Sequence, residues 1–223
     1  MPSKPKTQPS SLQQNKVFFP LVWFTLIIWL IYRMIFKFPI WFDETIGKAI
    51  FFGFPVWVYL SITRSNKIVA AMMPAKLYKG LLLGLAVGGL MGFAGSLLKI
   101  FSLGNGVKEA YLFAAPGFWW EFFLSLMTGF WESLFFFGWI MTVIMEKYKA
   151  KSLIFQVLLT ATIFMIFHLP NTVLRFSPEM IIPQAFLMFL FGLGQALLFY
   201  RWKNIYALTV SHAIWGMVLL MHV

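Results

Sequence analysis

The chain predicts an all-α fold, a polytopic transmembrane helical bundle of about seven spans, and three observations carry that prediction. First, its 223 residues are 61% hydrophobic and 11% charged, with a mean hydropathy of +0.81. Soluble domains are far more polar. Second, runs of about 20 apolar residues recur along the chain, each long enough to cross ~30 Å of hydrocarbon as a helix. Third, most Lys and Arg sit between the runs rather than within them. The chain has no cysteine, so disulfides, thiolate metal sites, a Cys nucleophile and a lipoprotein anchor are excluded. A net charge of +11 belongs with these loops, where cations orient helices and meet anionic headgroups. The partner it implies is the lipid bilayer and not nucleic acid.

Residues 1–16 are polar, with three Lys and three Pro, and are expected to form a flexible tail. Residues 17–36 are too long for a signal-peptide core and lack a small-residue cleavage site, so they are expected to remain as an anchor. One transmembrane domain then covers 17–223, with further spans at 46–63, 80–102, 118–145, 153–169, 180–200 and 204–221. An eighth span arises only if the long fourth one splits. The third span carries Gly84, Gly88, Gly89, Gly92 and Gly95, a small-x-x-x-small pattern read as a helix-packing face. Seven spans put twelve Lys and Arg on the side of the tail and five on the other, counting Lys48 among the five. The rule that basic loops stay inside predicts a cell-membrane protein with a cytoplasmic N-terminus and an extracytoplasmic C-terminus.

Three ionisable residues interrupt the later spans. Glu132 lies more than ten residues from either end of its run, and His168 and His212 fall in the fifth and seventh runs. A charged group in hydrocarbon is costly unless paired or wetted, so each is a candidate site residue. Glu121, Ser125, Thr128 and Glu132 stand at offsets 0, 4, 7 and 11, on one helix face. Gln184 and Gln195 repeat the device on the sixth span, Thr209 and His212 share a face on the seventh, and Asn171 follows His168 by one turn. Polar stripes on four helices are thus expected to converge on one cavity. Counting ~1.5 Å per residue from the cytoplasmic ends puts Glu132 and His168 at ~20–24 Å but His212 at only ~13 Å.

Taken singly, each of these groups has a structural explanation as a hydrogen-bonded buried or interfacial side chain. Together they fit water activation. Desolvation strengthens a carboxylate as a base, and imidazoles can hold a water, shuttle its proton or donate to an oxyanion. Glu plus two His also matches an open zinc shell, but no H-E-x-x-H occurs, and no G-x-S-x-G supports a serine mechanism. Asn171, Gln195 and Glu121 are the candidates for positioning substrate or water.

The same residues resemble the CPBP (Abi) family of intramembrane proteases, which includes CAAX prenyl endopeptidases of the Ras-converting type and bacteriocin-processing enzymes. That family's pattern runs E-E-x-x-x-R, then F-x-x-x-H, then H-x-x-x-N or D. Here Glu132-Ser133 and Phe137 stand at the first motif, Phe164 and His168 keep the second, and His212 and Gly216 stand at the third. The resemblance covers about 118–216. It implies that Glu132 activates water with help from His168 and that His212 belongs to the oxyanion or water-holding set. It leaves open whether a metal such as zinc is needed, and the expectation is that none is. The substrate it implies is a membrane-associated protein or peptide. Ser133, Phe137 and Gly216 depart from the pattern. Losing a Glu and an Arg together leaves no stranded charge, while losing the Asn removes an oxyanion donor of a kind worth ~3 kcal/mol. Asn171 or Gln195 is the candidate replacement. Two other classes stay open: an inactive relative acting as a membrane scaffold or immunity factor, and a proton-coupled transporter.

Overall fold

The computed structural model describes residues 11–103 and 117–221, and every regular element among them is a helix. α1 spans Ser11–Ile35, beginning inside the segment expected to be a tail, while residues 1–10 lie outside the described ones. α2 spans Ile40–Thr63 and α3 the short Asn66–Ala71. A single 3₁₀ turn, Pro74–Lys76, leads into α4, Leu77–Leu103. α5 spans Phe118–Lys147, α6 Leu153–Arg175, α7 Pro178–Trp202 and α8 Ile205–Met221. Among the described residues, six helical segments are long and apolar enough to cross a bilayer, with α3 and α4 joined in one of them, and α8 is a shorter apolar helix. The chain is therefore an all-α polytopic bundle. α5 runs unbroken, so no eighth span forms among the described residues.

Local chemistry sets the helix ends. Arg64 (φ 53°) and Lys203 (φ 47°) adopt the left-handed conformation that stops α2 and α7 and reverses the chain. Asn204 then caps α8, its Oδ1 accepting from the backbone N–H of Tyr206 at 3.0 Å and of Ala207 at 3.4 Å. Ser152 caps α6 by accepting from Phe155 N–H at 3.2 Å.

α5 is the central helix. Of its most apolar stretch 78% is buried, against at most 39% for any other span. Its middle, Ser133–Met141, widens into a π-helix whose residues are all buried. α2, α6, α7 and α8 pack around it, α1 lies against α2 and α6, and α4 lies along α8. Two glycines allow close approach to α5. A Cβ on Gly53 would sit 2.6 Å from the Trp131 ring, and one on Gly129 would sit 2.7 Å from the Thr209 carbonyl oxygen. Along α4 the glycine stripe is a packing face, as expected: a Cβ on Gly84 would sit 2.6 Å from Val210 Cβ and one on Gly88 2.8 Å from Ser211 Cα. Gly89 faces away from it.

The α7–α8 turn explains how His212 reaches the depth of the other two groups. Gly138 faces Ile205, the first residue of α8, with only 3.0 Å between a Cβ at 138 and Ile205 Cδ1. α8 thus starts about nine residues, or ~13 Å, inside the end of α5. The α3 segment fills the step beneath it. Tyr206 donates its hydroxyl to Met72 O at 2.7 Å, Asn204 Nδ2 donates to Lys76 O at 2.9 Å, and Lys76 Nζ donates to Lys203 O at 2.8 Å.

Candidate active site

Glu132 ends the α-helical part of α5, at the point where the π segment begins, and its side chain is 5% exposed. His168 from α6 and His212 from α8 both approach its Oε2, with Nε2 at 3.2 Å and 3.4 Å. The three groups expected to converge do lie together. Spacing within each helix holds them. In F-x-x-x-H the four-residue offset stacks the Phe164 ring on His168 at 4.1 Å, while the Phe164 carbonyl oxygen lies 2.7 Å from His168 Nδ1. A carbonyl only accepts, so Nδ1 carries a hydrogen and Nε2 is left facing the carboxylate. Phe191 of α7 packs edge-on against His212 at 4.9 Å and closes that side.

The carboxylate's other oxygen carries a partner that the charge count assigns to one membrane side rather than to the site. Lys48 Nζ lies 2.7 Å from Glu132 Oε1 and 2.5 Å from Glu44 Oε2, and Glu44 in turn accepts from the Thr128 hydroxyl. Lys48 is buried in α2, between two π-helical segments, Asp43–Gly47 and Ala49–Gly53. The span expected from residue 46 starts six residues earlier, at Ile40, so Glu44 falls outside the expected bounds and Lys48 at their edge, where it counts with the loop charges. The signal that could have found it is the i, i+4 spacing of Glu44 and Lys48 ahead of an apolar run. A second buried pair, Arg33 with Asp43 at 2.7 Å, ties the end of α1 to the start of α2.

The positioning candidates fare differently. Asn171 lies one turn beyond His168, and its buried side-chain oxygen has no hydrogen-bond partner. Gln195 is fully buried and joins α7 to α8 by donating to Ser211 Oγ at 3.0 Å, beside His212 in the chain. Glu121 is exposed near the end of α5, eleven residues or ~16 Å along the helix from Glu132. Thr128, on the same stripe, reaches the site through Glu44. Of the motif departures, Ser133 and Phe137 are fully buried, with the Phe137 ring 5.8 Å from that of Phe164. Gly216 faces Ser125.

No group of three or more His, Asp or Glu side chains arranged to hold a metal ion occurs among the described residues. A cation bound by Glu132 and the histidines would displace two direct contacts and lie beside the Lys48 ammonium, which repels it. The side chains of His168 and His212 are 15% and 11% exposed against 5% for Glu132, so the imidazoles lie on the more open side of the carboxylate.

No curated protein and no solved structure matches the chain. A family model does match, that of the type II CAAX prenyl endopeptidase Rce1-like proteins, over residues 114–218. That stretch contains Glu132, His168 and His212 and nearly coincides with the one marked out by the three motifs. Over residues 114–218 the chain is similar to the Rce1-like family of proteases.

Proposed function

We propose that the protein is an intramembrane endopeptidase in which Glu132 activates a water molecule to hydrolyse a peptide bond of a membrane-associated protein or peptide. The observation that supports this reading most directly is the meeting of Glu132, His168 and His212 from three helices, within 3.4 Å of one buried oxygen. Water entering past the imidazoles gives its proton to Oε2, and its oxygen attacks the carbonyl carbon of the scissile bond. His212 and the side chain of Asn171 face the developing tetrahedral centre, where the His212 ring donates to the oxyanion. The proton taken by Glu132 passes to the leaving amine as the C–N bond breaks, with His168 holding it in transit. No metal takes part in this scheme. The protease family over the same residues supports the reaction class.

The test uses the purified protein in liposomes with two quenched fluorescent peptides ending in a CAAX box, one prenylated and one not. Cleavage of either, abolished by Glu132→Gln in a protein that keeps its thermal midpoint, is the expected result. Equal cleavage by wild type and Glu132→Gln would sink the proposal.

A further inference from the structure

Both histidines contact Oε2 of Glu132, and Oε1 is left to Lys48 at 2.7 Å. A carboxylate free to rotate would exchange these two oxygens and present the wrong one to the water. Lys48 is itself fixed from behind by Glu44 at 2.5 Å, and Glu44 by the hydroxyl of Thr128 on α5, the helix that bears Glu132. The result is a closed circuit between two helices, Glu132–Lys48–Glu44–Thr128, with the carboxylate at one corner. Phe137 stands where the resemblance calls for an arginine, and it is fully buried with its ring 5.8 Å from that of Phe164. A cation reaches Glu132 from α2 instead, as Lys48, 84 positions earlier in the chain than the glutamate.

We infer that Lys48 is a positioning residue for Glu132: it pins Oε1, holds the carboxylate plane, and so keeps Oε2 aimed at His168 and His212. The inference rests on the proteolytic reading above and adds to it a residue outside the stretch matched by the family. Lys48 touches no reacting atom in this scheme. Its loss therefore acts on turnover and leaves substrate binding alone.

Lys48→Met removes the ammonium at similar length, but it leaves two carboxylates facing each other across the gap. Lys48→Met/Glu44→Gln restores the charge balance without restoring the pin. The measurement is cleavage of the fluorescent peptide by each variant in liposomes, with kcat and KM resolved, beside thermal midpoints in detergent. Lys48→Met is expected to lower kcat about 100-fold with KM unchanged, the scale of a misplacement near 1 Å. The double variant is expected to recover thermal midpoint but not kcat. Recovery of kcat in the double variant would mean that Lys48 only balances charge, and the inference would fall; so would a loss expressed in KM alone. Failure of the underlying reading looks different, because Glu132→Gln would then cleave as well as wild type. If Glu132→Gln is dead while Lys48→Met is fully active, only the role of Lys48 is overturned.

Discussion

At the scale of single residues, the site is a matter of which atom has a partner and which has none. Glu132 is contacted on both oxygens, His168 on both nitrogens, and Lys48 by two carboxylates. Asn171 is different, since its buried oxygen faces no donor. A buried acceptor without a partner costs roughly 1–3 kcal/mol, so a purely structural Asn171 would be better replaced by an apolar residue. Asn171→Leu is therefore expected to hold or raise the thermal midpoint while lowering kcat/KM for the peptide about tenfold, the worth of one lost substrate hydrogen bond. Parallel melting and cleavage assays check it, and unchanged kcat/KM removes Asn171 from the site. The sequence made Glu132, His168 and His212 legible because hydrocarbon leaves so little else for an ionisable group to do. Lys48 was not legible for the opposite reason. Near a span boundary, a lysine reads as a headgroup contact unless the boundary itself is known to within a turn.

At the scale of elements, the spans from α4 to α8 lie close to where apolar periodicity puts them, because span length is set by bilayer thickness. What periodicity does not encode is the π-helical widening in α2 and α5, which changes the register of the side chains next to Glu44, Lys48 and Glu132. Nor does it encode the step that lowers α8 beside α5. Gly129 makes the step useful, since the approach there brings His212 Cβ within 3.3 Å of where a Cβ at 129 would lie. Gly129→Val must push α8 outward against the Thr209 carbonyl. The expected outcome is a loss of about 1–3 kcal/mol in stability, as for overpacking elsewhere, and a fall in kcat of about 100-fold as His212 leaves Oε2. Melting curves and cleavage rates measure the two effects separately, and retention of full turnover would mean that His212 is not needed at that distance.

At the scale of the whole molecule, electrostatics outside the spans also leaves a measurable mark. Lys203, in the turn between α7 and α8, points its ammonium at Met145 sulfur at 3.0 Å and over the Tyr200 ring at 4.6 Å, and burial lowers its pKa from 10.5 to about 8. Between those values the unfolded chain binds more protons than the folded one, so stability rises with pH from about 8 towards 10.5. Thermal midpoints in detergent across that window are expected to climb for wild type and to climb less for Lys203→Met; identical slopes would refute the assignment. The bundle also unites two stretches of chain that differ in what the family model reaches, because α2 lies outside residues 114–218 and yet supplies Lys48 and Glu44. A ribosome delivers α2 to the membrane before α5 has been made. A lone lysine there would cost about 3 kcal/mol on insertion, but Glu44 sits one turn away on the same helix and neutralises it at once. When α5 follows, Glu132 meets a cation already installed at the right depth. The order of synthesis thus gives Lys48 a partner from the moment its helix is made, and Glu132 a partner from the moment it arrives.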